Sequence, residues 1–212
     1  MTDRVLILTA GRFGVSVAKE IADHLQDTTV RPLAKEDGGA PKRYSEYTFV
    51  VLATWRRYFA VSDALDEALW EVSVPWCDVT LEGSVVRVGP HIRPGLSACY
   101  ACYRTRFLSN SAIADRELAL DACFDRGPEI GIAGFTPAQV RIGSALVRAQ
   151  IQGGSQAAGR LQLLDPASGA LRSETVTRVH GCARCGVQSE PGTRYWRALR
   201  GALGPVSKGQ SP

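Results

Sequence analysis

Short apolar runs alternate with helical periodicity from residue 4 to residue 79. Four runs predict strands, at 4–9, 29–33, 47–54 and 72–79. Two stretches with apolar residues at every third or fourth position predict amphipathic helices, at 15–25 and 59–70. The run from Tyr47 to Thr54 is apolar on both faces, which is typical of a strand inside a parallel sheet. This alternation predicts a Rossmann-like α/β fold, a sheet with helices on both faces.

The pattern changes after Val79. Residues 80–88 predict a hairpin whose turn is Glu82-Gly83. Helices are predicted at 109–125 and 137–152, and strands at 161–165 and 172–179. The polar stretch 34–45 predicts a loop, and the last residues, 204–212, predict a disordered tail. We expect one domain over 1–203, divided into a degenerate nucleotide-binding half at 1–88 and a second half at 89–203.

Composition narrows the classes of function. The chain has 212 residues, 45% of them hydrophobic and 22% charged, which is ordinary for a globular protein. Its formal net charge of +4 comes from scattered basic residues, so nucleic acid is not an expected partner. No run of 18 apolar residues and no signal-peptide pattern occurs. We therefore expect a cytoplasmic protein with no membrane partner.

Four of the six cysteines form two CxxC pairs. One pair is Cys99 and Cys102, and the other is Cys182 and Cys185. Two such turns can present four sulfurs to one ion, which predicts a closed, structural zinc site. Two disulfides or four unrelated core thiols are the alternatives.

Two histidines lie near the cysteine pairs in the sequence, and two cysteines fall outside the pairs. Because four sulfurs already saturate zinc, His91 and His180 are expected to support loops or face solvent. Cys77 and Cys123 are expected to be small buried apolar side chains.

The turn after the first strand is a degenerate dinucleotide fingerprint. Thr9 stands where the first glycine is expected, whereas Gly11 and Gly14 keep the second and third positions. The presumed second strand ends without an acidic residue to hold a ribose, since it reads Val-Arg-Pro-Leu over 30–33. The favoured interpretation is a Rossmann-like core that retains its glycines for packing. The alternative is that part of the phosphate-binding geometry survives.

The order of these features resembles the ThiF/MoeB family of ubiquitin-activating-enzyme-like proteins. The likeness covers roughly residues 4–186 and rests on the glycine turn, Pro75-Trp76, the phrase Gly89-Pro-x-x-x-Pro94-Gly-x-x-x-Cys99-x-x-Cys102-x-x-Arg, and the terminal Cys-x-x-Cys-Gly. This family adenylates a C-terminal carboxylate with ATP and magnesium. Its metal-contacting aspartate follows the strand that here ends at Thr54, where this chain has Trp55 and Arg56. Indole and guanidinium groups cannot bind magnesium, so the resemblance implies that ATP is not a cofactor.

Within the family, the chain is similar to the Ocin-ThiF-like group. These proteins are partners of YcaO cyclodehydratases in making thiazole/oxazole-modified peptides and thiopeptides. The resemblance implies a non-catalytic partner that supports a YcaO-type enzyme, engages its precursor peptide, and forms a homo- or hetero-oligomer. Because the first strand starts at Arg4, we expect no winged-helix leader-recognition module before it.

Two other functions stay open. One is an ATP-dependent adenylating or sulfur-transfer enzyme, for which Cys123 would be the transferring thiol. Asp121 and Asp125 would raise the pKa of that thiol, which argues against this role. The other is a zinc-stapled binding protein with an unrelated partner.

Overall fold

A computed structural model describes residues 4–34, 37, 43–126, 130–131 and 134–186. The strands are β1 Val5–Ala10, β2 Thr28–Pro32, β3 Phe49–Thr54, β4 Trp76–Glu82, β5 Val85–Val88, β6 Arg160–Asp165 and β7 Ala170–Thr175. The helices are α1 Gly11–Ala22, α2 Phe59–Glu71, α3 Tyr100–Asn110, α4 Ala114–Arg126 and α5 Pro137–Gly153. The predicted domain end at 203 and the predicted tail at 204–212 lie outside the described residues.

All seven strands form one sheet, in the order β2-β1-β3-β4-β5-β6-β7. The pairings among β2, β1, β3 and β4 are parallel, and those among β4, β5, β6 and β7 are antiparallel. Each parallel strand is followed by a helix or a longer connection, as parallel strands require, whereas β4 and β5 are joined by the predicted tight turn. The predicted α/β fold and the predicted hairpin are therefore both confirmed.

Two apolar layers pack on opposite faces of the sheet. Helices α1 and α5 cover one face, where Phe13, Val17 and Val147 are buried. Helices α2 and α3 cover the other, where Leu65 and Tyr100 are buried. All six residues of β3 are buried, because this strand lies between the two layers and has a neighbour on each side.

The prediction of one helix over 109–125 is wrong about where the helices begin and end. The structure has two helices there: α3 ends at Asn110 and α4 begins at Ala114. The missed helix α3 starts directly after Cys99, where we expected only a metal-binding turn. The Asp66 carboxylate accepts a hydrogen bond from the Tyr100 backbone N–H at 3.0 Å, and so caps the new helix from α2. No local sequence signal reveals a cap supplied by a residue 34 positions away.

Candidate metal centre and the closed glycine turn

The fold brings the four predicted cysteines together. Their Sγ atoms all lie within 4.8 Å of one another, although the two pairs come from α3 and from the segment after β7: Cys99, Cys102, Cys182 and Cys185. Sulfurs about 2.3 Å from a tetrahedral zinc ion stand about 3.8 Å apart. The four side chains are therefore close enough to hold one metal ion.

The second CxxC pair forms a tight backbone turn. The Cys182 carbonyl accepts a hydrogen bond from the Gly186 N–H at 2.8 Å. A side chain at Gly186 would collide with that carbonyl, since a Cβ there would lie 2.2 Å from the Cys182 oxygen. The Val179 N–H donates to the Cys102 sulfur at 3.2 Å. This contact joins the first CxxC pair to the segment that leads to the second pair.

Three of the four thiols have shifted pKa values. Burial raises the pKa of Cys99, and it raises the pKa of Cys102 to about 11. Burial acts in the same direction on Cys182, but the backbone N–H groups of Cys185 and Arg184 outweigh it and lower the pKa of Cys182 to about 6. Thiolates are the form that binds metals, and the lowered pKa favours that form at Cys182.

An arginine inside the second CxxC pair anchors the metal centre to α2. The Arg184 guanidinium lies 2.7 Å from the Asp66 carboxylate and 3.0 Å from that of Asp63. Asp66 is fully buried and also accepts hydrogen bonds from Trp76 Nε1 and the Tyr100 N–H, both at 3.0 Å. One buried carboxylate thus joins the sheet, the start of α3 and the second CxxC turn.

Two more arginines hold the segment that leads to the second CxxC pair. Arg106 on α3 donates to the carbonyls of Thr177 and Arg178, at 2.6 and 2.8 Å. Arg178 in turn donates to the carbonyls of Gly95 and Ser97, at 2.7 and 3.1 Å. The segment after β7 is therefore fixed by protein contacts next to the sulfurs.

The alternative readings of the cysteines find no support. All six cysteines are described, and all are free thiols. Cross-pair Sγ–Sγ distances of 3.5 and 3.3 Å exceed the disulfide bond length of about 2.05 Å. Cys77 is buried in the core as expected. The same prediction is wrong for Cys123, which lies on α4 and is only partly buried.

The two histidines lie outside the cysteine cluster. His180 is exposed, as expected. His91 is fully buried against Phe49 and does not face solvent, and burial lowers its pKa to about 4.

The glycine turn keeps its predicted shape. Gly11 begins α1 with a φ of 71°, and Gly14 lies against β3, where a Cβ would be 2.1 Å from the Ala53 carbonyl oxygen. Gly14 is thus required for the close packing of α1 on the sheet, which is the packing role we favoured.

The space beside Gly11 is filled by the protein itself. A Cβ at Gly11 would lie 2.2 Å from Cδ1 of the Trp55 indole. On its other side the indole lies close to Gly131, where a Cβ would be 2.7 Å from Trp55 Cζ3. Trp55 Nε1 donates to the Tyr58 hydroxyl at 3.1 Å. The indole therefore occupies the position where a phosphate would approach the backbone of Gly11.

The two arginines that follow Trp55 bind the region around α4. Arg56 is buried, donates to the carbonyls of Ile130 and Phe124 at 2.7 and 2.8 Å, and lies over the Trp55 ring. Arg57 pairs with Glu117 on α4. Both side chains are held by protein groups at the place where the resemblance puts a magnesium-binding acid.

An acid beyond the end of β2, Asp37, folds back against that strand. Arg31 binds Asp37 through two hydrogen bonds of 2.8 and 2.6 Å. Asp37 is fully buried and also accepts from the Ala34 N–H and the Tyr44 hydroxyl. Although an acid does follow β2, its oxygens serve these internal contacts.

No protein-family model and no curated protein matches this chain. Solved structures do match it. The structure of the heterocyclase TruD aligns over 100% of this chain and 30% of its own, with a TM-score of 0.64 and 16% identity. E. coli MccB with succinimide aligns over 87% of this chain and 67% of its own, with a TM-score of 0.61 and 14% identity. MccB with ATP gives a TM-score of 0.60 at 14% identity, over 86% of this chain and 65% of its own.

These likenesses confirm the predicted fold, which the chain shares with TruD and MccB. The chain spans less than a third of the heterocyclase it matches. Among the described residues, none of the helices is both long enough and apolar enough to cross a bilayer.

Proposed function

We propose that this chain is a non-catalytic ThiF-like partner protein in the biosynthesis of ribosomally made, post-translationally modified peptides. It supports a YcaO-type cyclodehydratase and engages the precursor peptide. The observation that carries this proposal is the structural likeness to TruD. The alignment covers the whole of this chain and 30% of that heterocyclase's length. The chain would supply the ThiF-like part of such an assembly, with the YcaO-type protein supplying ATP chemistry.

The closed glycine turn supports the non-catalytic role. An adenylating enzyme needs space for phosphates beside its second glycine, an acid for the ribose and an acid for magnesium. Here Trp55 fills the space at Gly11, the acid after β2 is bound by Arg31, and Arg56 is engaged by backbone carbonyls. Each of the three contacts to ATP is therefore replaced by an internal contact.

Zinc is the metal proposed for the four cysteines. Four sulfur donors suit zinc or an iron–sulfur cluster, and a pair of CxxC turns with mutual sulfur distances near the tetrahedral value favours zinc. With all four positions taken by sulfur, zinc would act as a structural cross-link between α3 and the segment after β7. Arg184 and Asp66 would orient the second turn around it.

The experiment that tests this role is reconstitution with the YcaO-type enzyme and precursor peptide encoded nearest to its gene. We expect heterocycles, seen by mass spectrometry as the loss of one water per ring, to form much faster when this chain is present. ATP consumption should require the YcaO-type enzyme. Equal rates with and without this chain would contradict the proposal.

An ATP-dependent adenylating enzyme of the ThiF/MoeB type is the competing function. The retained Gly11 and Gly14 and the likeness to MccB solved with ATP favour it. Exchange of labelled pyrophosphate into ATP, in the presence of the precursor peptide and this chain alone, separates the two functions. The partner role predicts no exchange.

A further inference from the structure

Strand β7 is an edge of the sheet formed by the described residues. It is last in the strand order and, among the described strands, pairs only with β6. All six of its residues are exposed, from Ala170 to Thr175. An edge strand presents unpaired backbone N–H and C=O groups that another extended chain can bind.

The ladder with β6 identifies which backbone groups are free for pairing. The Val176 N–H donates to the Gly159 carbonyl at 2.8 Å, so these two residues form a hydrogen-bonded pair. Hydrogen-bonded and non-hydrogen-bonded pairs alternate along an antiparallel ladder. In the ladder, β6 and β7 pair from Arg160↔Thr175 to Asp165↔Ala170. The backbone groups of three alternate β7 residues therefore point away from β6: Leu171, Ser173 and Thr175.

In the part of the chain that the structure describes, the opposite edge of the sheet is better protected than β7. Strand β2 ends at Pro32, which has no N–H to donate, and the side chain of Arg31 is bound by Asp37. Strand β7 reads Ala-Leu-Arg-Ser-Glu-Thr, with neither proline nor lysine, and pairs with β6 at six consecutive positions without a bulge. Proline, bulges and charged side chains are common devices that prevent an edge from pairing. Of these, β7 has only the charged side chains of Arg172 and Glu174.

The surfaces beside β7 indicate which side chains would suit a strand paired with it. On the α3 side, a groove of about 500 Å³ is lined by Leu161 and Leu163 of β6 and by Phe107 of α3. The register places Arg172 and Glu174 of β7 on this same face, opposite the two leucines. A strand with an acid beside Arg172 and a base beside Glu174 would make opposite-charge pairs.

The other face of β7 is partly apolar. Leu171 lies there, opposite the core residue Leu164, and remains 49% exposed. An apolar side chain of an added strand would pack beside it. The edge therefore matches an extended peptide with apolar residues on one face and mixed charges on the other.

We propose that β7 binds an extended segment of the precursor peptide, which joins the sheet as an eighth strand. Backbone hydrogen bonds from Leu171, Ser173 and Thr175 would supply affinity, and the two faces would supply selectivity. The identity of the occupant rests on the proposed function, whereas the edge itself can be tested without the cyclodehydratase.

The direct test uses a fluorescein-labelled probe peptide, Thr-Val-Glu-Val-Lys-Val-Thr, and a copy with N-methyl groups on alternate residues. We expect saturable binding of the probe in fluorescence anisotropy and at least tenfold weaker binding of the methylated copy. Hydrogen exchange should slow at Leu171, Ser173 and Thr175 and stay unchanged at Thr28–Arg31. Absence of probe binding, equal binding of both peptides, or protection confined to other segments would overturn the proposal.

Ser173→Pro removes one outward N–H and leaves the ladder to β6 intact, since proline is tolerated at such edge positions. It should weaken probe binding at least tenfold, whereas the matched control Ser173→Ala should not. If Ser173→Pro does not fold, the methylated peptide decides alone.

Edge binding without stimulation of the cyclodehydratase would contradict only the proposed function. Stimulation without edge binding would contradict only this inference.

Discussion

The cysteine centre and the glycine turn are both motifs that the sequence predicts, but only the cysteine centre keeps the geometry to bind its ligand. At the cysteine centre, all four predicted donors converge within 4.8 Å, and neighbouring groups support them. At the glycine turn, Gly11 and Gly14 keep their backbone geometry, but Trp55 occupies the space that geometry would open. Cysteine side chains supply the ligand atoms themselves. A glycine supplies only space beside the backbone, and another residue can fill that space.

The largest expected effect is at the cysteine centre. Replacing both Cys182 and Cys185 by serine should abolish binding of about one zinc ion per chain and lower the free energy of unfolding by several kcal/mol, because metal binding is linked to folding. Metal analysis and urea unfolding measure the two effects. Cys123→Ser is the matched control and should keep its zinc. A double variant with unchanged zinc content would contradict the assignment.

The next effect concerns the anchor of the second CxxC turn. Arg184→Met keeps most of the side-chain volume but leaves Asp66 without its charge partner, which should lower the free energy of unfolding by about 2 kcal/mol. Zinc stoichiometry should stay near one, because no sulfur is lost. Denaturant titration of the zinc-loaded protein measures the change. Arg93→Met, on a partly buried arginine outside this ion pair, serves as the control. Equal unfolding free energies for the Arg184 variant and the wild type would show that the anchor contributes nothing.

A smaller effect is expected at the glycine turn. Trp55→Ala removes a partly buried indole from between Gly11 and Gly131, and should cost about 1–3 kcal/mol, below the range for a fully buried tryptophan. The fold and the zinc content should persist. Thermal unfolding with metal analysis checks both. A stability change of zero would mean that the indole does not pack in solution as it does here.

Sequence patterns predicted the parts of the molecule that depend on local periodicity or on ligand spacing. The parallel half, the hairpin at Glu82-Gly83 and the four cysteines follow directly from such patterns. Features made by distant side chains did not. Asp66 caps α3 from another helix, and Trp55, directly after β3, packs against Gly11 at the end of the neighbouring strand β1.

Asp37 shows a related limit of sequence reasoning. It follows β2 by five residues, outside the position where a ribose-binding acid is expected, and only the folded loop brings it back to Arg31. Its burial and its four hydrogen-bond contacts are set by tertiary structure. Neither spacing nor composition carries that information.

Titration calorimetry with ATP and magnesium tests the central claim, that the glycine turn is closed to nucleotide while the cysteine centre is intact. The measurement uses zinc-loaded protein at micromolar concentration. We predict no saturable heat, because an indole fills the phosphate position and the nearby charged groups are held by internal protein contacts. Losing three charge-assisted contacts, each about 1.5–3 kcal/mol, would weaken binding by roughly three orders of magnitude or more if the contacts were additive. Saturable binding of ATP with a micromolar dissociation constant would contradict the account and favour an adenylating enzyme.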